Sequence, residues 1–291
     1  MKRKYYKIPD YITLEIIEMY INTNFNINDI SEKFEISTTT VRDILKKHNI
    51  PLKRTNGVKW RKYDVNDNYF EVIDNNEKAY VLGFMYADGY LVVEGKGTKR
   101  IGIDSIDSQI LLDISKALNF CGEVVQLKNN YSGYGSNKKV YRLKITSPKM
   151  YDDLIKLGCF RKKTFDINFP SNEQVPNEFV NSFILGYMDG DGSIIKSTRY
   201  GSVYKNNSYD SYSVSFTGTD KFLNGIKKHF NLEKIKLTKR WKNKDDNIFE
   251  IRISGNKQVY LFLKELYKDS PLFLQRKKDR FDELDEKYGR S

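Results

Sequence analysis

One short phrase occurs twice in this chain, as VLGFMYADGYL at residues 81–91 and as ILGYMDGDGSI at residues 184–194. Both copies are apolar, are compatible with a helix and contain Asp-Gly near their ends. Each has small residues four positions apart: Gly83 and Ala87 in the first copy, Gly186 and Gly190 in the second. Glycine within a helix costs about 1 kcal/mol relative to alanine, so it indicates a packing requirement. Because residues at i and i+4 share one face, we expect the two helices to pack side by side across a pseudo-two-fold axis.

The segments that follow the two copies repeat the same order of patterns. Alternating apolar stretches predict strands, and apolar residues at helical spacing predict helices. In both halves the predicted order is helix-strand-strand-helix-strand-strand-helix. The sequence therefore predicts an α+β fold with a duplicated αββαββα core. Residues 77–163 form the first half, residues 164–178 a linker, and residues 179–291 the second half with a C-terminal helix.

Each predicted helix ends at an acid, Asp88 or Asp191. The glycines that follow, Gly89 and Gly192, suit the left-handed position that stops a helix. A carboxylate in the last helical turn is disfavoured by about 0.3–1 kcal/mol, and two at the same end of a helix pair also repel each other. A bound divalent cation removes both difficulties, since carboxylate oxygens are good ligands for Mg²⁺. We expect Asp88 and Asp191 to hold the metal, with the backbone carbonyls at positions 87 and 190 as further ligands.

The composition limits the classes of reaction and of partner that the chain can have. The chain has 291 residues, a net charge of +12, two histidines and two cysteines. Zinc-dependent catalysis and serine-type triads need histidines close to further ligands or catalytic residues, whereas His48 and His229 are isolated in the sequence. The positive charge favours a polyanionic partner, most often nucleic acid. Carboxylates that hold a metal in a basic protein indicate phosphodiester hydrolysis.

Residues 1–50 predict a small all-α domain. Helical spacing marks a first helix at residues 11–21, a second capped by Asn28 or Asp29, and a third capped by Ser37 or Thr38. Two short helices with a tight turn between them are typical of a helix-turn-helix. On this hypothesis the third helix carries the DNA-contacting residues: Thr38, Thr39, Thr40, Arg42 and Lys46. The alternative is a plain three-helix module with solvated charges.

Residues 51–76 form a predicted basic linker. Its first part, PLKRTNGVKWRKY, carries Lys53, Arg54 and three further basic residues without an acid. Such a segment is typical of chain that lies along phosphates rather than of a folded element.

The two repeated phrases resemble the two signature motifs of the LAGLIDADG homing endonucleases, in the single-chain form that contains both. The resemblance covers about residues 77–270. It implies two α/β halves whose sheets form a DNA-binding saddle with pseudo-two-fold symmetry, and a staggered double-strand cut across the minor groove. The acid before the last glycine of each motif is the family's metal-binding residue, which here is Asp88 or Asp191. Where the motif has an earlier Asp, the first copy has Tyr86 and the second Asp189. We interpret that position as tolerant and not catalytic.

Members of this family often place a lysine near each site, late in the fourth strand of each half. The alternation of VYRLKITS and IFEIRIS turns Lys144 and Arg252 away from the helices, so these two residues are candidates for electrostatic helpers of catalysis. The same parity predicts further residues on the DNA-binding face: Arg142 and Thr146 in the first half, with Arg100 and Gln126, and Lys236, Thr238 and Arg240 in the second. For each basic residue, a merely solvated charge is the alternative.

The sequence thus favours a site-specific DNA endonuclease that uses Mg²⁺ or another divalent cation. We expect double-stranded DNA as its partner, no obligate protein partner and a monomeric state. One alternative is a cleavage-inactive DNA-binding transcriptional regulator on the same scaffold, although a pure binder gains nothing from two mutually repelling acids. Another is an intron RNA maturase, although a helix-turn-helix favours duplex DNA. No apolar run approaches the roughly 20 residues that span a bilayer, and a cytoplasmic setting is expected.

Overall fold

The computed structural model describes residues 8–22, 25–50, 52, 63–127, 139–160, 166–200, 208–239 and 248–289. The chain divides into two compact units, Met1–Trp60 and Arg61–Ser291. Among the described residues, no helix combines the length and the apolar character needed to cross a membrane.

The first unit contains helices α1 (Asp10–Asn22), α2 (Ile27–Lys33) and α3 (Thr38–Lys47). They enclose a small apolar core of Ile16, Met19, Tyr20, Ile30, Val41 and Leu45. Ser37 caps α3 as predicted, since its hydroxyl accepts a hydrogen bond from the amide of Thr40 at 3.0 Å.

The predicted cap of α2 is wrong. The cap is Asn26, whose side-chain oxygen accepts from the amides of Asn28 and Asp29 at 2.7 and 3.1 Å. The carboxylate of Asp29 in turn accepts from the amide of Asn26 at 2.9 Å. This reciprocal capping box needs an acid at the third helical position, which places Asp29 inside the helix.

The second unit is built from two halves with the same element order. The first half comprises α4 (Asn76–Ala87), β1 (Gly89–Glu94), β2 (Thr98–Ser105), α5 (Ser108–Ala117), β3 (Val125–Gln126), β4 (Tyr141–Thr146) and α6 (Pro148–Lys156). The second comprises α7 (Val180–Asp191), β5 (Gly192–Tyr200), β6 (Ser208–Gly218), α8 (Asp220–His229), β7 (Thr238–Lys239), β8 (Phe249–Ser254) and α9 (Asn256–Tyr267). Helix α10 (Gln275–Tyr288) follows, and short 3-10 turns at Gly95–Gly97 and Asn177–Phe179 precede β2 and α7.

Each half forms a four-stranded antiparallel sheet. The strand orders are β1-β2-β4-β3 and β5-β6-β8-β7, so the second half repeats the first strand by strand. The predicted α+β duplication is confirmed. The predicted alternation is also confirmed, because Leu143, Ile145, Ile251 and Ile253 are all buried in the shared core.

Helices α4 and α7 pack together along their length through the small residues predicted for this role. A Cβ atom built on Gly83 would lie 1.9 Å from the carbonyl oxygen of Phe183, and one built on Gly186 would lie 2.0 Å from that of Tyr80. Near the beginning of the helices, the hydroxyl of Ser182 bonds to Oδ1 of Asn76 at 2.9 Å. The helices therefore run parallel, and both end on the same side of the unit.

Candidate active site

The close packing of α4 and α7 brings the two predicted metal-binding acids to one place. Asp88 directly follows α4 and is half-buried, whereas Asp191 is the last residue of α7 and is exposed. A Cβ atom built on Gly190 would lie 2.2 Å from Cβ of Ala87 and 3.3 Å from both Cγ and Oδ2 of Asp88. The carboxylate of Asp88 thus lies against the residue that precedes Asp191.

The predicted left-handed conformation of the two following glycines is wrong. Gly192 is extended, with φ −102° and ψ 174°. Gly89 is not one of the described glycines that have a positive φ. Each glycine begins a strand directly, and a Cβ atom there would lie 2.7 Å from a carbonyl oxygen, that of Met85 or Met188. Lack of space, rather than a left-handed turn, therefore requires glycine at both positions.

Tyr187 lies buried close to the acid pair. Its hydroxyl donates to the carbonyl oxygen of Thr217 at 2.7 Å. Burial raises the pKa of this hydroxyl well above its usual value, and the negative charges of Asp191 and Asp88 raise it further.

Lys277 of α10 is a site residue that the sequence analysis missed. Its side chain is buried, and its ammonium donates to the carbonyl oxygen of Met188 and, at 2.8 Å each, to those of Asp189 and Gly192. These carbonyls lie at the C-terminal end of α7, where a positive charge is favourable. Lys277 therefore fixes the end of the helix that carries Asp191. The carbonyl of Gly190 is not among the three that it binds.

The charge environment of Lys277 links it to the acids. Burial lowers its pKa to about 8, while Asp189, Asp88 and Asp191 oppose that shift. The sequence did contain a signal for this residue. Lys277 stands at helical spacing within an otherwise apolar series: Leu274, Phe281, Leu284 and Tyr288. A charge in such a series is on the face that packs inward.

The interpretation of positions 86 and 189 as tolerant is wrong. Asp189 is 1% exposed, and its Oδ2 accepts from the hydroxyl of Tyr80 at 2.7 Å and from the amide of Leu274 at 2.8 Å. Its Oδ1 has no hydrogen-bond partner within the described part of the chain. Burial raises the pKa of this carboxyl to about 6, with Lys277 acting in the opposite direction.

Tyr86 has the corresponding role in the first half. It is buried, its hydroxyl donates to the carbonyl oxygen of Leu157, and its ring lies edge-on to that of Phe183 with the centroids 5.0 Å apart. Leu157 follows α6 and Leu274 lies between α9 and α10. Tyr86 therefore links α4, and Asp189 links α7, to the backbone that follows the last helix of its half. Tyr86 donates the hydrogen bond in the first half, whereas Asp189 accepts it in the second.

The predicted basic residues of the first sheet are held by acids on the same face. Arg100 and Lys144 both donate to Glu94, Lys144 at 2.6 Å, and these bonds hold the pKa of Glu94 below its usual range. Glu94 ends β1, at the opposite end of the strand from Asp88. Arg142 binds Asp104 on the neighbouring strand. Lys144 itself pairs with Gly102, which pairs with Tyr90 near the Asp88 end of β1, and its ammonium reaches Glu94 at the other end of that strand.

In the second sheet, Arg252 donates to Glu250 of the same strand at 2.8 and 3.1 Å. Thr238 lies in β7 and is exposed, as is Gln126 in β3. Lys236 is exposed but lies before β7 rather than in it, because the described strand contains only two residues.

In the first unit, Thr38, Thr39 and Thr40 form the first turn of α3, and Thr39, Arg42 and Lys46 are exposed. The predicted DNA-contacting residues Lys53, Arg54 and Arg240 lie outside the described residues.

The residues present at the helix ends suit a hard divalent cation. In the described part of the chain, no group of three or more His, Cys, Asp or Glu side chains is arranged to hold a metal ion. The residues that could hold such a cation are Asp88 and Asp191, through their carboxylates, and Ala87 and Gly190, through their carbonyls. Mg²⁺ is commonly bound through one or two carboxylates, with water molecules in the rest of its shell, so these residues fit Mg²⁺.

No family model matches the chain, and no curated protein matches it. Several solved structures are similar to it. The I-LtrWI LAGLIDADG homing endonuclease bound to target DNA is 14% identical, with 76% of this chain and 91% of that chain covered and a TM-score of 0.47. The LAGLIDADG meganuclease I-AabMI bound to uncleaved DNA is 13% identical, with 71% and 89% covered and a TM-score of 0.45. The meganuclease I-SmaMI bound to DNA is 11% identical, with 72% and 88% covered and a TM-score of 0.48. The chain thus spans most of the length of each of these structures.

Proposed function

We propose that this chain is a site-specific double-strand DNA endonuclease of the LAGLIDADG homing endonuclease type, dependent on Mg²⁺ or another divalent cation. The observation that carries the proposal is the convergence of Asp88 and Asp191 at the shared end of α4 and α7. A pure scaffold gains nothing from two carboxylates at the negative ends of two helix dipoles. Two symmetry-related acids between two similar halves suit a substrate that also has two strands related by a two-fold axis.

In this proposal Asp88 and Asp191 hold the metal, with the carbonyls of Ala87 and Gly190 as neighbouring ligands. When bound, the cation would polarise the scissile phosphate and lower the pKa of an attacking water. The chain's own contribution is position. The glycine contacts set the separation of the helices, and Lys277 fixes the end of α7.

In this proposal the two sheets supply the DNA-binding surface, and the chain acts as a monomer. Their faces away from the core carry the residues predicted to contact DNA, Arg100, Arg142 and Lys144 in the first half and Arg252 in the second. Charged residues on such a face position a duplex through its phosphates and read base edges in the grooves. Lys144 and Arg252 are further proposed to assist catalysis electrostatically. In the first unit, α3 is the proposed recognition helix of a helix-turn-helix, with Thr39, Arg42 and Lys46 directed to DNA.

The experiment is to incubate the full chain with a randomised duplex library, with Mg²⁺ or with a chelator, and to sequence the cut ends. The proposal expects Mg²⁺-dependent cuts in both strands, staggered by a constant offset, at one family of related sites. Sequence-specific binding without any cut would instead identify a regulator. Selective binding of structured RNA without duplex binding would favour a maturase.

A further inference from the structure

Asp189 and Lys277 connect the end of α7 to the beginning of α10 through two reciprocal contacts. The carboxylate of Asp189 accepts from the amide of Leu274, the residue before α10, at 2.8 Å. In return, the ammonium of Lys277 donates to the carbonyl oxygens of Asp189 and Gly192 at 2.8 Å each. The negative charge thus lies at a helix N-terminus and the positive charge at a helix C-terminus, where the helix dipoles favour them.

The two charges offset each other inside the protein. Asp189 is 1% exposed and Lys277 is 4% exposed. Burial raises the pKa of Asp189 and lowers that of Lys277, and in each case the charge of the other residue opposes the shift. Removing one member of a buried pair leaves the other charge uncompensated. Asp189 and Lys277 therefore form a compensating pair.

This pair lies next to one of the two proposed metal ligands. In the chain, Asp191 stands between Asp189 and Gly192, the residues whose carbonyls lie 2.8 Å from the Lys277 ammonium. Asp88 and Asp191 also oppose the lowering of the Lys277 pKa by burial, so the charges of both acids act on Lys277. Buried charges are screened much less than exposed ones. A cation held by the two acids is therefore repelled by Lys277 and attracted by Asp189, in proportion to its own charge.

We propose that Lys277 and Asp189 are specificity-determining residues of the metal site at Asp88 and Asp191, and that they act through their charges rather than as ligands. With both residues present, their effects on a bound cation offset each other. Loss of Lys277 shifts the preference of the site towards a more highly charged cation, and loss of Asp189 shifts it towards a less highly charged one. This inference rests on the proposed function, since it assumes a cation at the two acids.

The test compares the binding of Tb³⁺ and Ca²⁺ to the full chain without DNA. Both ions bind oxygen ligands, and they differ by one unit of charge. Tyrosine-sensitised luminescence measures bound Tb³⁺, and displacement of Tb³⁺ by Ca²⁺ gives the affinity for Ca²⁺. A chain with both Asp88→Asn and Asp191→Asn supplies the background from other sites. Measurements at about pH 7 keep both residues charged, because this lies between the pKa values of about 6 for Asp189 and about 8 for Lys277.

The expected shifts have opposite signs. Lys277→Met should raise the preference for Tb³⁺ over Ca²⁺ by about three- to tenfold, the order expected of a buried unit charge, and Asp189→Asn should lower it by a similar factor. A chain with both substitutions should return to the wild-type preference. Lys287→Met is the matched control, because it removes an exposed charge from the same helix and should leave the preference unchanged.

A merely structural role gives a different pattern. Both substitutions remove contacts between the ends of α7 and α10, so structural damage alone would move the preference in the same direction in both variants. If Lys277→Met does not fold, Asp189→Asn decides the question by itself. A preference for Tb³⁺ below that of wild type then supports the role of charge, and an unchanged preference contradicts it.

Failure of the metal site and failure of this inference give different results. If the wild-type chain binds neither cation above the background of the chain without the two acids, the metal site of the proposed function fails, and this inference fails with it. If wild type binds both cations but the two single variants keep its preference, or shift it in the same direction, only the inference about Lys277 and Asp189 is overturned.

Discussion

Gly83 of α4 lies against the backbone of α7, and Gly186 of α7 lies against the backbone of α4. In both places an added Cβ atom would fall within 2.0 Å of a carbonyl oxygen, of Phe183 in one case and of Tyr80 in the other. This reciprocal contact has no room for any side chain. It sets how closely α4 and α7 approach, and so how closely Asp88 and Asp191 can share a site.

Gly83→Ala and Gly186→Ala should therefore each destabilise the chain by about 3 kcal/mol or more, at or above the upper end for overpacked cores. Urea unfolding of each variant measures this. Gly95→Ala is the control, because a Cβ atom there meets nothing within 4 Å. Equal unfolding midpoints for all three variants would contradict the described packing.

Asp189 should prove structural rather than metal-binding. Asp189→Ala removes the acceptor of two buried donors, the hydroxyl of Tyr80 and the amide of Leu274, and should cost about 2–4 kcal/mol. Asp189→Asn keeps one oxygen that can accept both bonds, so it should stay within about 1 kcal/mol of wild type and keep Mg²⁺-dependent cleavage. Loss of cleavage in a well-folded Asp189→Asn chain would indicate that this acid belongs to the metal site.

Lys277→Met should destabilise the end of α7. The substitution preserves an unbranched apolar stem but leaves the carbonyls of Met188, Asp189 and Gly192 without their common donor, at a cost of about 2–4 kcal/mol. Lys287→Met, at an exposed position of the same helix, is the control and should change little. Thermal unfolding distinguishes the two, and similar losses in both would argue against a capping role for Lys277.

His229 should make stability sensitive to acid. Burial lowers its pKa, the charge of Glu265 opposes this, and its Nε2 bonds to Asn181 at 2.7 Å beside the ring of Phe230. A lowered pKa means that the folded chain binds fewer protons than the unfolded chain, so stability is lost as pH falls from the usual histidine value through the folded one. Between about pH 7 and pH 5, wild type should lose more stability than His229→Gln in urea titrations. Parallel losses would show that His229 is not the source.

Much of this architecture follows from local pattern. The repeated phrase, the small residues four apart and the alternation in β4 and β8 are all visible in the sequence, and each constrains packing through a period of 3.6 or 2 residues. The site contacts that were missed are made over long separations. Asp189 meets the amide of Leu274, which is 85 residues away along the chain, so the residues around Asp189 do not show which group its carboxylate contacts.

The errors in capping have a similar cause. Asn26, Asn28 and Asp29 are all residues that favour helix N-termini, and only the geometry of the capping box selects among them. At Gly89 and Gly192, the Asp-Gly sequence is also typical of a helix that ends with glycine in the left-handed conformation. The requirement for glycine came instead from the immediate start of a strand over the carbonyl of Met85 or Met188.

The central claim is that Asp88 and Asp191 form one metal-dependent site for phosphodiester hydrolysis. The most direct measurement compares cleavage and binding of the selected duplex by wild type, Asp88→Asn and Asp191→Asn, each with Mg²⁺. We expect wild type to cut both strands, and each variant to lose double-strand cleavage by at least about 100-fold, the scale of losing a principal catalytic group, while binding the duplex with similar affinity. Double-strand cleavage at the wild-type rate by either variant would contradict the account.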